Sequence, residues 1–297
     1  MASRWSSHLP RPVAFVLSGG ASLGALQVGM LRAIAEIGLA PDLIVGTSAG
    51  ALNGAFLGQG FNLERVAQLE EIWAGLRTSD VFTGAGLQNL FRVFTGSRTL
   101  ATSSGLRSLL RKYVPARHDE LAVPTAVVAA DLLRGEAVTL AAGNLHENVL
   151  ASAAIPWVFP PVRAGARLLV DGGVVANVPI LEAKNLGARS FVVLDAAYPC
   201  SLPDPPRNAI GGLLHVTLLM LRQQSIGIAR AIAANHVVLY VPGPCPVAVA
   251  AHDFSHGVEL IQAGYAAAQA FLADPPPEGP GLWGRPHAHE MDVDGQP

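Results

Sequence analysis

Twice in its first sixty residues the chain runs a short apolar stretch into a glycine-bracketed turn and then into a helical period. Val13-Ala14-Phe15-Val16-Leu17 stops at Ser18-Gly19-Gly20, after which Leu23, Leu26, Met30, Ile34 and Ile37 recur at three and four until Gly38. The run over 42–45 stops at Gly46, and a second helix is predicted over 49–57. Apolar runs without alternation are the pattern of strands buried on both faces, and a helix after each one supplies the crossover a parallel neighbour needs. Two strand–loop–helix units in succession hold the chain to an α/β layer fold.

The rest of the sequence continues in that style. Helical patterns are predicted over 62–77, 102–113, 146–154, 210–234 and 256–272, and strands over 125–130, 137–141, 167–170, 191–194 and 237–241. The helix over 146–154 is stopped by Pro156, and 131–136 reads as a turn between strands. The Pro-, Gly- and His-rich tail over 273–297 reads as a disordered extension, which leaves one domain over 13–272 with its motifs in 13–186. With 51% apolar and 14% charged residues, a disordered chain is excluded and a large core is expected. A net charge of −2 argues against nucleic acid as a partner. Cys200 and Cys245 match no zinc or redox spacing, so neither a disulfide framework nor a metal site is expected, and a reducing, cytoplasmic compartment is the default. The uncharged stretch over 12–31 is broken by Ser18 to Ser22, unlike a secretory signal, and no stretch is long and apolar enough to span a membrane.

Three places carry chemistry. Gly46-Thr47-Ser48-Ala49-Gly50 is a G-x-S-x-G between strand and helix, the pattern of a nucleophile elbow in which glycines permit a sharp turn and the serine hydroxyl projects from the sheet. The same residues would also serve as a plain helix start capped by Thr47 or Ser48. Gly19-Gly20-Ala21-Ser22-Leu23-Gly24 lacks the second glycine of a dinucleotide fingerprint and the Lys of a P-loop. Small residues with free N–H groups at a helix start suit an oxyanion hole; a tight packing turn is the alternative. Asp171-Gly172-Gly173 closes a predicted strand, on the edge where α/β sheets hold their ligands, though Asp-Gly is also a common turn. A carboxylate can act as the direct base for serine if burial raises its pKa toward neutrality.

In this order the three blocks resemble the signature blocks of patatin-like phospholipases. The likeness extends to 41–45 before the serine, to Ala151-Ser152-Ala153-Ala154-Ile155-Pro156 and Phe159-Pro160-Pro161 before the aspartate, and to Asn177-Val178-Pro179 after it. It continues through Asp253-Phe254-Ser255, Glu259-Leu260 and Gly264-Tyr265, so that it spans about 13–272. The resemblance implies a three-layer α/β/α sandwich with a mostly parallel central sheet. It implies a lipid or acyl-ester substrate, cleaved through an acyl-enzyme on Ser48 with Asp171 as proton acceptor. The oxyanion loop would be Gly19, Gly20 and Ala21, with Gly19 shaping the turn and Gly24, Gly46, Gly50, Gly172 and Gly173 as supports. No cofactor is implied, membrane contact would be peripheral, and nothing bears on oligomeric state. Ala21 and Leu23 depart from the family, many of whose members have glycine and a cation there. The loss of the cation bears on phosphate-headgroup contact.

A conventional triad stays open beside this reading. It would join Ser48 to Asp171 or Asp195 and to His236 or His252, with His287 and His289 poorly placed in the tail. The apolar helix over 213–232 is either a lid on an acyl pocket or an ordinary packed helix.

Overall fold

The computed structural model describes residues 5, 7–83, 101–196, 209–245, 247, 249–276 and 278–285. Among the described residues nine strands make one sheet: β1 Val13–Leu17, β2 Leu43–Thr47, β3 Thr125–Asp131, β4 Glu136–Leu140, β5 Val162–Ala164, β6 Arg167–Asp171, β7 Ser190–Leu194, β8 Val237–Val241 and β9 Gly281–Gly284. Their order is β5-β6-β3-β2-β1-β7-β8-β9, with β4 also on β3. From β3 to β9 every neighbour is parallel, while β4, β5 and β6 pair antiparallel.

Alternation along β1 sorts the helices into two layers. Val13, Phe15 and Leu17 join the core of α1 (Gly24–Glu36), α3 (Leu63–Gly75) and the helix Gly257–Leu272, through Leu26, Met30, Ile34, Trp73 and Ile261. Ala14 and Val16 face the other way, onto Ile180 and Ala183 of the helix Ile180–Asn185 and Ala229, Ile232 and Ala233 of the helix Ala209–Ala233. This is the α/β/α sandwich, and it accounts for strands that are apolar on both faces. The stretch over 12–31 lies inside it as strand, loop and buried helix.

Register along β3 brings distant parts of the chain together. β2 runs parallel to β3 and ends with Thr47 opposite Val128. β6 runs antiparallel and ends with Asp171 opposite Ala129. Both pairings are to β3, and their last partners are adjacent residues. The two strands therefore end at the same level on either side of β3, and Ser48 hydrogen-bonds Asp171 across a sequence gap no local pattern reveals.

Two expectations need correction. The tail is not wholly an extension: Gly281–Gly284 pairs parallel with Val237 to Tyr240 as the outermost strand, and Gly281 N–H donates to the His236 carbonyl (3.1 Å). Backbone pairing, which needs no side-chain pattern, outweighs the composition there. Cys245 is disulfide-bonded, against the expectation that no disulfide framework forms. The other cysteine, Cys200, lies outside the described residues.

Candidate active site

The turn after β2 places Ser48 at the N-terminus of α2 (Ala49–Leu57) with φ 53° and ψ −117°. That is a backbone region an L-residue enters at a cost, and the surrounding glycines show what enforces it. A Cβ on Gly46 would overlap the Gly50 carbonyl, and one on Gly50 would overlap the Leu17 carbonyl. The strand end and the helix start therefore touch through bare backbone, and Ser48 is lifted between them. Only Ala21, Ser48 and Trp157 have positive φ among the described non-glycine residues.

The glycine loop lies beside it. Gly19 comes so close that a Cβ there would stand 3.3 Å from the Ser48 Cβ and 2.6 Å from Asn177 Oδ1. Its N–H donates to the Asn177 carbonyl (3.1 Å), and Ser22 N–H donates to the Ala251 carbonyl (2.9 Å). Among the described residues, no acceptor engages the N–H of Gly20 or Ala21. Gly19 thus differs from the expectation that it shares in an oxyanion hole: its donor is spent on holding the turn. Ala21 sits at φ 49°, a conformation that glycine would adopt freely.

Asp171 is buried, at 5% exposure, against 6% for Ser48. Its Oδ1 accepts the Gly173 N–H at 2.7 Å. Burial pushes its pKa from 3.8 to about 6, while hydrogen bonds from the Ser48 hydroxyl and the Gly173 N–H hold it down. Downstream, the Ala176 carbonyl accepts from Thr47 Oγ1 (2.8 Å) and the Asn177 carbonyl from Gly19. The segment after the aspartate therefore clamps both the elbow and the glycine loop.

A cavity opens at Ser48 and Ala21 and runs between α2, α3 and the helix Ser104–Tyr113, with a volume of about 90 Å³. Its walls are apolar, including Leu52, Phe56, Leu69, Leu106 and Phe159. Phe82 stacks on Phe159 (5.5 Å) and meets Phe254 edge-on (5.9 Å), and Phe254 stacks on Trp73 (6.0 Å). Asn53 is a polar point of that wall. Its Oδ1 accepts Trp73 Nε1 (2.8 Å) and its Nδ2 donates to Gln27 Oε1 (2.9 Å). Gln27 Nε2 in turn donates to the carbonyls of Ser18 (2.8 Å) and Leu194 (3.1 Å). This buried chain ties the end of β1, from which the glycine loop springs, to the end of β7.

The patatin-like phospholipase profile matches residues 15–184, a span holding all three motifs. The chain belongs to the patatin-like phospholipase family. It is 30% identical over 187 residues to patatin-like phospholipase domain-containing protein 7 of Rattus norvegicus, covering 62% of this chain and 13% of that protein. An NTE family protein of Mycobacterium bovis is 30% identical over 203 residues, covering 68% of this chain and 53% of that one. The chain thus spans about an eighth to a half of the curated relatives it matches. Among solved structures, VipD from Legionella pneumophila aligns at a TM-score of 0.43 and 15% identity over 90% of this chain and 67% of that one.

In this patatin-like chain neither His236 nor His252 hydrogen-bonds Ser48 or Asp171. His236 precedes β8 at the edge where the parallel strands begin, whereas Ser48 lies where they end. Its Nδ1 meets the Ile232 carbonyl (3.2 Å) and its ring packs against Phe191. His252 is exposed on the loop covering Ser22. His287 and His289 lie outside the described residues. Asp195 is buried and accepts the Tyr240 hydroxyl (2.7 Å). The helix Ala209–Ala233 answers to the ordinary packed reading rather than to a lid: none of its described residues lines the cavity, because it packs on the opposite face of the sheet. Sequence reasoning also passed over Ser152, whose hydroxyl accepts the Ser48 N–H (2.9 Å).

Proposed function

We propose that the protein is a lipid acyl hydrolase that cleaves carboxylic esters with a Ser48–Asp171 dyad. The supporting observation is the meeting of a buried carboxylate, a strained serine and two acceptor-free N–H groups at the mouth of an apolar cavity. Asp171, ionised, takes the Ser48 proton as Oγ forms a bond to the ester carbonyl carbon. The carbonyl oxygen becomes an oxyanion facing the N–H groups of Gly20 and Ala21, where removing one donor typically costs about a hundredfold or more in rate. Collapse breaks the bond to the alcohol, which leaves with the proton from Asp171. Water then gives its proton to Asp171 and attacks the acyl carbon, and Ser48 leaves with that proton as the fatty acid is released.

The acyl chain would lie in the cavity among Leu52, Phe56 and Leu106. Such a substrate resides in a lipid surface, so contact with it would be peripheral. No helix of the described residues is long and apolar enough to cross a membrane. A p-nitrophenyl ester series of increasing chain length tests the reading, with Ser48→Ala as control. Each methylene moved from water into the cavity contributes about 0.8 kcal/mol, so kcat/KM should rise by up to about fourfold per methylene until the cavity is full. A short-chain optimum would make the protein an esterase or thioesterase. Absence of turnover would make it a lipid-binding module.

A further inference from the structure

The structure assigns to Ser152 a positioning role: its hydroxyl is a wedge that lifts Ser48 off the sheet and fixes it relative to Asp171. The inference rests on the dyad reading above and concerns a residue that touches none of the reacting atoms.

The ladder between β2 and β3 sets the geometry. Ile44 N–H donates to the Pro124 carbonyl at 2.9 Å, and in a parallel pair such bonds recur at every second residue. Two repeats further, the next donor is Ser48 N–H and the next acceptor is the Val128 carbonyl. That bond is not made. Instead Ser152 Oγ stands between the two groups, accepting from Ser48 N–H at 2.9 Å and donating to the Val128 carbonyl at 2.6 Å. One hydroxyl inserted into the ladder replaces a direct bond with two in series. The strand has to end there, and the chain leaves the sheet at the residue with φ 53°.

The same residue grips the other half of the site. Ser152 closes the helix Leu145–Ser152 and is fully buried. Its carbonyl accepts the Gly172 N–H (3.4 Å), and two residues on, the Ala154 carbonyl accepts the Asp171 N–H (2.9 Å). A Cβ on Gly172 would overlap the Val128 carbonyl, the group that receives the Ser152 hydroxyl. The backbones of Ser48 and Asp171 are thus both referred to Ser152 and Val128.

Removing the hydroxyl leaves two outcomes for Ser48 N–H and the Val128 carbonyl. They remain buried and unpaired, or they close into the direct ladder bond and draw Ser48 back toward the sheet. Either way the serine Oγ loses its fixed relation to the carboxylate and to the N–H groups of Gly20 and Ala21. A displacement of about 1 Å at a reacting group can cost on the order of a hundredfold in rate.

The experiment compares wild type, Ser48→Ala, Ser152→Ala, Ser152→Thr and Thr125→Val, with kcat, KM, thermal melting and the rate of Ser48 labelling by a fluorophosphonate. Thr125 is a buried hydroxyl donor (to the Val123 carbonyl, 2.9 Å) at the far end of β3, so its loss reports the stability cost of such a bond alone. Ser152→Ala should be folded, with kcat and labelling rate down by about tenfold to a hundredfold and KM within about threefold. Thr125→Val should melt earlier with kcat unchanged, and a folded Ser152→Thr should recover most of the lost rate. Ser152→Ala with wild-type kcat and labelling, or with a rate loss that Thr125→Val shares, would overturn the proposal and leave the dyad standing. Turnover that survives Ser48→Ala would overturn the dyad and this inference together.

Discussion

Replacing Asp171 with Asn should stabilise the protein in a way that depends on pH. A carboxyl with a pKa of 3.8 in the unfolded chain and about 6 in the folded protein holds its proton more tightly when folded. Below both values the two states are equally protonated and the group costs nothing. As pH rises from about 4 to above 6, the unfolded chain ionises freely while the folded protein carries a buried charge, and stability falls. At about 1.4 kcal/mol per pKa unit, the shift corresponds to roughly 3 kcal/mol at neutral pH. Asn has the shape of the protonated acid and keeps an oxygen for the Gly173 N–H. Urea melts of both proteins should therefore agree within about 1 kcal/mol near pH 4 and differ by roughly 3 kcal/mol near pH 8, with Asn the more stable. All other titrating groups are common to the pair and cancel. A difference that stays constant across this range, or that favours wild type more as pH rises, would refute desolvation as the source of the perturbed carboxyl.

The same ionisation should govern turnover. The base must be charged to accept the Ser48 proton, so kcat/KM should rise about tenfold per pH unit below about 6 and level off above it; a rate flat from pH 4 to 8 would contradict this. Ala21→Gly should relieve the φ 49° conformation and leave in place the backbone N–H proposed to face the oxyanion. The relief of about 1–2 kcal/mol, less the entropy glycine adds to the unfolded chain, predicts a gain of up to about 1 kcal/mol with kcat within about threefold. Denaturant melts and initial rates check both parts, and a tenfold loss of kcat would show that the alanine methyl, not only the N–H, serves the loop.

Much of this fold is legible in the sequence wherever side-chain pattern and backbone need coincide. β1 and the helix after it were readable because Phe15 and Leu17 lie on one face, Ala14 and Val16 on the other, and both faces are covered. Ser48, Asp171 and the glycine loop were readable because close backbone contact admits few residue types: Gly50 lies against Leu17, and Gly19 against Ser48 and Asn177. What escaped has no local pattern. β9 is Gly281–Gly284 in a glycine- and proline-rich stretch, and β5 is three residues held by pairing with β6. The spent N–H of Gly19 depends on a carbonyl from Asn177, and the bridge at Ser152 depends on the register of two strands with a third element between them.

The central claim is that a carboxylate, not a histidine, takes the serine proton, and kcat of Asp171→Asn measured beside His236→Gln and His252→Gln tests it most directly. The account predicts that Asp171→Asn, folded and more stable at pH 8, loses on the order of a thousandfold or more in kcat, while both histidine variants stay within a few-fold of wild type. A folded His236→Gln or His252→Gln protein as inactive as Ser48→Ala, with Asp171→Asn retaining substantial turnover, would contradict it.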